Sequence, residues 1–245
     1  MSKGIVMILG GRSDIGLAVA HRFARAGYRI QLAARRTSSL SAEKSDIELR
    51  HHVPVSLHEF DALDTKSHKA FVEQLDSLPD IAICAVGVLG DQAAGERNVE
   101  AATLVIRSNF EGPASILGHL ANHFERRGSG ILVGISSVAG DRGRATNYLY
   151  GSAKAGFSAF LSGLRSRLQK EGVHVLTVKP GFVSTKMVAG MDLPARLTAT
   201  PDELAVAIEK AVLKKSNVIY VKPVWRLVML AIRLMPESVF KTLRI

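Results

Sequence analysis

Short runs that are apolar at nearly every position alternate along this chain with longer segments in which apolar residues recur every three or four positions. The runs are GIVMIL (4–9), YRIQLAA (28–34), HVPVSL (52–57), DIAICAV (80–86), GILVGIS (130–136), VHVLTV (173–178) and NVIYV (217–221). Helical spacing lies between them near residues 15–26, 64–76, 98–126, 148–170 and 202–213. A strand without polar alternation is covered on both faces, and strands separated by helices run parallel. The pattern therefore predicts an α/β fold, a three-layer doubly wound parallel seven-stranded sheet with right-handed crossovers. No linker divides the chain, so residues 1–245 are expected to form a single domain. Two stretches stand apart. Residues 184–200, STKMVAGMDLPARLTAT, have no clear period and read as a lid over a site. Residues 222–245 place Trp225, Val228, Met229, Ile232 and Met235 at helical spacing between Arg226 and Arg233, until Pro236 interrupts them.

Composition narrows the class. With 47% apolar residues among 245, the chain has ample material for a core, and its one cysteine, Cys84, forms no internal disulfide and suits a reducing cytoplasm. No uncharged apolar stretch approaches the roughly 20 residues that span a bilayer. The formal charge of +10 favours anionic partners, yet no Lys/Arg-rich run interleaves with aromatics, which argues against nucleic acid. In the extension from about 222 to 245 there are five basic residues and one acid. Such a basic amphipathic end either meets a membrane surface, placing the protein in the cytoplasm or peripherally on the inner membrane face, or packs on its own domain or a subunit partner. His119 and His123 lie i, i+4 but lack a third ligand of matching spacing, so no metal site is expected, and His51 and His52 read as solvent-facing.

In open α/β sheets ligands bind beyond the carboxyl ends of the strands. After the first strand, LGGRSDIG sets Gly10 and Gly16 about a tight turn into a helix, whose amides suit a pyrophosphate. After the second, Ala34 stands where an acid would read the ribose hydroxyls, and Arg35 and Arg36 follow, with Arg12 able to join them. That favours NADP(H), with NAD(H) the alternative. Farther on, NYLYGSAKAGF puts Lys154 one helical turn after Tyr150, so that an ammonium is expected to lower the phenol from its usual pKa of about 10 and fit it for proton transfer. Ser136 and Ser137 close an apolar strand ahead of Tyr150, where a hydroxyl can donate a hydrogen bond to a substrate oxygen as charge develops there. Asn109, in the helical stretch 98–126, has low helix propensity, which a polar kink or water site would justify.

Along essentially its whole length the chain resembles the short-chain dehydrogenase/reductase family, with its Rossmann-like fold, in LGGRSDIG, SNFEGP, GISSVAG, YGSAK and KPGFVST. The resemblance implies catalytic roles for Asn109, Ser137, Tyr150 and Lys154 and cofactor contacts from Gly10, Arg12, Ser13, Ile15, Gly16, Arg35 and Arg36. It implies others from Asp61, Ala62, Ala85, Gly87, Tyr150, Lys154, Pro180, Gly181, Val183 and Thr185. Asp61 would read the adenine, Ala85 and Gly87 would flank the adenosine ribose, and the carboxamide would pair with Val183 and Thr185. Asn109 would hold a water linking Lys154 to solvent protons. Departures are Asp14 in place of the middle glycine, where Ser13 or Asp14 is expected to cap the helix with the side chain turned from the phosphates, and CAVG (84–87) in place of NNAG.

The activity so implied is reduction of a ketone to a secondary alcohol. A narrower resemblance, carried by GVLGDQ, FDALDTKSH, GDRGRATNYLYGSAKAG and the tail, is to the reductase subfamily of decaprenylphosphoryl-ribose epimerisation. It implies a lipid-linked 2-keto sugar as substrate, made by a separate flavin oxidase partner. Arg142 and Arg144 then either bind the lipid phosphate or belong to a salt-bridged loop. A general ketoacyl or small-carbonyl reductase shares every catalytic residue, and a catalytically silent nucleotide-sensing protein shares the fold. A homodimer or homotetramer built through the helices at 98–126 and 148–170 is the family expectation.

Overall fold

The computed structural model describes residues 3–243. Seven strands form the expected parallel sheet: β1 (Ile5–Leu9), β2 (Arg29–Ala34), β3 (Val55–Glu59), β4 (Ile81–Cys84), β5 (Gly130–Ile135), β6 (Val173–Pro180) and the last, β9 (Val218–Val221). Their order is β3-β2-β1-β4-β5-β6-β9, so the direction of winding reverses between β1 and β4. Strand ends on either side of that reversal splay their loops apart and open a crevice at the carboxyl edge.

Successive strand residues point to opposite faces, which is why the strands read as unbroken apolar runs. Val6 and Ile8 pack with Val19 and Phe23 of α1 (Asp14–Arg25) and Leu204 and Ile208 of α8 (Pro201–Leu213). Met7 and Leu9 pack on the other face with Leu117 and Phe124 of α6 (Gly112–Arg127) and Phe157 and Leu161 of α7 (Tyr148–Leu168).

Local differences from the periodicity have physical causes. No helix is expected over 41–51, yet α2 (Ser41–His51) forms there. It buries Ile47 alone and gains its order from Ile47 in the core and the i, i+4 pairs Lys44–Glu48 and Arg50–Asp46. His51, at its end, is half-buried against His21 (Nδ1···Nε2 3.1 Å) rather than solvent-facing. The helix expected over 64–76 shortens to α3 (His68–Glu73), because residues 64–67 form a turn. The long 98–126 stretch is three pieces. After α4 (Gln92–Arg97), Asn98 caps α5 (Val99–Ile106), a π turn follows at Arg107–Glu111, and α6 continues. Such turns gather at functional sites, and Asn109 is in it, the polar kink its low propensity called for.

The 184–200 stretch forms short 3-10 turns. It is tied down where β7 (Phe182–Val183) pairs with β8 (Thr198–Ala199). Beyond β9, α9 (Val224–Leu234) and α10 (Glu237–Phe240) fold back onto the domain. Trp225 and Met229 are buried with Val138, and Phe182 and Leu197 pack against them. Arg142 does not face the site as a phosphate ligand. Its guanidinium donates to the carbonyls of Ile232 and Met235, pairs with Glu237 (2.7 Å) and covers the Phe240 ring, so it serves as the C-terminal cap of α9.

Replacing Arg142 by Ala should therefore release α9 and α10 while leaving the sheet intact. We expect hydrogen exchange over 224–240 to speed up with little change in β1–β6, and stability to fall by about 1–3 kcal/mol in a urea titration.

Candidate active site

The crevice at the sheet reversal is a cleft of about 310 Å³. One end is built by the turn after β1. Gly10 has φ +92, and a Cβ at Gly16 would stand 2.5 Å from the Gly10 carbonyl oxygen, so the turn tolerates no side chain at either position. Ser13 is the N-cap of α1, its Oγ accepting from the Gly16 amide at 2.9 Å. Asp14 turns away from the turn: its carboxylate accepts from the Lys186 amide at 2.7 Å and lies 3.8 Å from the Lys186 ammonium. The residue standing in the place of a glycine thus holds the 184–200 loop. A glycine-lined turn at a twelve-residue helix's N-terminus suits the pyrophosphate of a dinucleotide.

Beyond β2, Ala34 is buried, and Arg35 and Arg36 are exposed. The Arg12 guanidinium reaches the Arg35 carbonyl at 3.4 Å, which brings three cations to one edge. The nearby Glu59 carboxylate is already occupied by the amides of Arg36 (2.7 Å) and Thr37 (3.0 Å). After β3, Asp61 accepts from the Leu63 amide at 2.9 Å, and its carbonyl meets buried His68. Asp61, Ala62, Arg35 and Arg36 do not line the cleft, and neither do Gly10 and Gly16. Arg12, Ser13, Ile15, Ala85, Gly87, Pro180, Gly181, Val183 and Thr185 line it together with Asn109, Ser137, Tyr150 and Lys154.

The other end is assembled by close approach of α7 to the end of β5. A Cβ on Gly140 would come within 2.7 Å of the Lys154 carbonyl carbon and the Ala155 amide, and one on Gly151 within 2.9 Å of the Ala139 carbonyl oxygen. Ser136 fixes this seam, donating to the Lys154 carbonyl at 3.0 Å and exchanging a hydrogen bond with Ser158 at 2.7 Å. That role leaves Ser137 to face the cleft, accepting from the Ala139 amide at 3.1 Å and hydrogen-bonded to the Tyr150 phenol. Lys154 is buried, donates to the Ile135 carbonyl at 3.0 Å and lies 5.7 Å from the centre of the Tyr150 ring.

Electrostatics correct one expectation. Burial raises the Tyr150 phenol above its usual value, and the Ser137 hydrogen bond only partly opposes it. Lys154 does not lower it. Burial also pulls the ammonium down, to about 8. Desolvation is the largest cause for both groups, since each gives up water that would stabilise its charged form. Asn109, fully buried, gives its amide to the Val88 (2.7 Å) and Val105 (2.8 Å) carbonyls, and its Oδ1 accepts no hydrogen bond among the described residues. A Cβ on Gly87 would lie 2.6 Å from that oxygen and 3.3 Å from the Lys154 ammonium, so glycine lets the backbone pass between them.

Several lining residues stand outside the catalytic and cofactor sets expected from the sequence. Trp225 comes from the tail, and a Cβ on Gly181 would overlap its indole, whose N–H donates to the Leu197 carbonyl at 3.0 Å. Met187 and Met191 stand exposed at the mouth, and Arg144 and Asn147 line the wall beside Tyr150. Among the described residues no group of three or more His, Cys, Asp or Glu side chains is arranged for a metal.

The buried ammonium has a pH signature. With a folded pKa near 8 and an unfolded value near 10.5, the unfolded chain holds more protons between those values, so this group costs stability below about pH 8 and ceases to do so as pH rises. Relative to Lys154→Met, the parent should gain up to about 3 kcal/mol between pH 8 and 10.5, measured by urea unfolding at stepped pH.

Comparison with known proteins agrees with this geometry. The short chain dehydrogenase profile matches residues 4–194. An uncharacterized oxidoreductase of Mycobacterium tuberculosis is 38% identical over 239 residues, covering 96% of this chain and 95% of the relative. Another, of Streptomyces coelicolor, is 38% identical over 242 residues, covering 97% and 95%. Among solved structures, a short-chain dehydrogenase of Sphingobium yanoikuyae in complex with NADPH superposes with a TM-score of 0.81 at 26% identity, over 89% of this chain and 87% of that one. By sequence and by fold, this chain belongs to the short-chain dehydrogenase family of oxidoreductases.

Proposed function

We propose that the chain reduces a ketone to a secondary alcohol with NADPH, Tyr150 protonating the carbonyl oxygen. The observation that carries this reading is the convergence of Ser137, Tyr150 and Lys154 on one wall of a cleft whose far end is a glycine turn at a helix N-terminus. Gly10, Ser13, Ile15 and Gly16 would cradle the pyrophosphate, and Asp61 and Ala62 the adenine. Ala85 and Gly87 would flank the adenosine ribose, and Pro180, Gly181, Val183 and Thr185 the nicotinamide. Arg12, Arg35 and Arg36 suit a 2′-phosphate, since Ala34 offers no acid and Glu59 is engaged. The NADPH complex of the Sphingobium relative supports the same choice over NADH.

When bound, NADPH supplies the hydride. Ser137 Oγ donates to the substrate oxygen as negative charge grows on it, and Tyr150 delivers its phenolic proton to the same atom. Lys154 would hold the nicotinamide ribose. Asn109 Oδ1, next to the ammonium across Gly87, belongs to the path that returns a proton to Tyr150. Because burial raises the phenol, Tyr150 is protonated at neutral pH, the form reduction consumes. The rate of reduction should therefore hold through neutrality and fall as pH climbs through the phenol pKa.

We infer further that the ketone is carried on a lipid phosphate, such as a 2-keto sugar on a polyprenyl chain supplied by a flavin oxidase, and that the protein works as a homo-oligomer. Support for the lipid comes from α9. Its inward face is packed, but Leu227, Leu230 and Leu234 are 69%, 53% and 74% exposed on the outside, among the cations Arg226 and Arg233. An apolar row with basic flanks fits an anionic membrane surface. No helix among the described residues is long and apolar enough to cross a membrane, so the contact would be peripheral.

Two measurements test the reading. Tyr150→Phe should lower kcat for ketone reduction by at least about a hundredfold with NADPH affinity unchanged. A parent that binds NADPH yet reduces none of a broad ketone panel would favour a nucleotide sensor. For the surface, Leu227→Glu with Leu234→Glu should abolish sedimentation with phosphatidylglycerol vesicles while reduction of soluble ketones persists. Unchanged sedimentation would dismiss the membrane contact.

A further inference from the structure

The loop from Asp141 to Asn147 joins the Ser137 turn to the Tyr150 helix, and most of its polar groups are committed to the fold. Asp141 accepts from the Tyr220 hydroxyl at 2.7 Å and pairs with the Lys179 ammonium. Arg142 is taken up by α9 and α10. Arg144 differs from both. It is half-buried in the wall of the cleft, its side chain forms no ion pair or hydrogen bond among the described residues, and its Nε is shielded from water without a partner.

A guanidinium in that position has lost hydration without gaining a counter-charge. Burial, with no opposing carboxylate, pulls it down from its ordinary pKa. Asp14 is the one carboxylate among the described lining residues, and both its oxygens serve Lys186. The nearest protein answer to the charge is therefore absent from the wall itself. Asn147, one helical turn before Tyr150, adds a second buried group: its Oδ1 accepts no hydrogen bond. Side by side on the wall leading to Tyr150, the two offer a cation for an oxyanion and an acceptor for a hydroxyl.

We propose that Arg144 is a specificity-determining residue that binds a carboxylate or phosphate of the ketone substrate, with Asn147 accepting from a neighbouring substrate hydroxyl. The inference rests on the ketone reductase reading, whose substrate it restricts to an anionic, hydroxylated ketone. The loop suits the task because Asp141 and Arg142 anchor its first residues and α7 its last, so that the backbone carrying Arg144 is held in place before ligand arrives. Neutral ketones would leave the desolvated cation unanswered and bind less well for that reason.

The test uses the full chain saturated with NADPH, whose own binding is first followed by nicotinamide fluorescence. Hexanol, hexanoate, hexyl phosphate and inorganic phosphate are then titrated calorimetrically against the parent, Arg144→Ala and Arg144→Lys. We expect hexanoate or hexyl phosphate to bind the parent about ten- to a hundredfold tighter than hexanol. Arg144→Ala should erase that preference with hexanol affinity and NADPH affinity unchanged, and Arg144→Lys should keep part of it. A preference for hexyl phosphate over hexanoate and inorganic phosphate identifies a lipid-like phosphate, whereas the reverse order identifies a carboxylate or a free phosphate. Equal binding of hexanol and both anions, or a preference that survives Arg144→Ala, overturns the proposal. Failure of NADPH to bind at all would instead overturn the reductase reading beneath it.

Discussion

The close approach of α7 to the end of β5 is the contact on which the candidate site depends. Gly140 and Gly151 let two backbones come together where any side chain would hold them apart, and Ser136 bonds across the seam. Everything chemical at that end is a consequence of this spacing. It brings Ser137 within reach of the Tyr150 phenol and buries Lys154 against the Ile135 carbonyl. A larger residue at either glycine would separate these groups without altering one of them.

A second layer of packing holds the opposite wall. The Trp225 indole packs closely on Gly181, so the C-terminal helix presses on the loop after β6, and Arg142 binds the end of that helix back to the loop after β5. The segment following β9 is thus part of the cleft, whatever its outer face meets. Asp14 does comparable work at the near end by holding the Lys186 amide. Three loops from distant parts of the chain are in this way tied to one another around one opening.

Charge in the cleft is governed by desolvation. Tyr150 is raised, Lys154 lowered and Arg144 lowered for the same leading reason: each is withdrawn from water by burial. Ion pairs are plentiful at the surface, where they contribute little, while in the cleft the one lining carboxylate, Asp14, is engaged by Lys186, and Arg12, Arg144 and Lys154 have no ion pair among the described residues. Such a cavity favours ligands that carry the missing negative charge, as a dinucleotide phosphate does.

Sequence alone determined the layered architecture, because a strand buried on both faces must be apolar throughout and a covering helix must repeat its apolar residues every 3.6 positions. It also drew attention to Tyr150 and Lys154, whose spacing along one helix is local, and through the family resemblance to Ser137, all three of which line the cleft, and it singled out Asn109 by a propensity cost that the π turn explains. It missed α2, whose single buried residue, Ile47, leaves no periodic trace. Nor could it decide between Arg142 and Arg144, two residues apart with the same chemistry: one faces α9 and the other the cleft, a matter of what folds back from ninety residues away. The same holds for Trp225 against Gly181, and for the balance of burial against charge at Tyr150. Contacts between distant segments and the exclusion of water arise only when the chain is folded, so tertiary structure alone decided them.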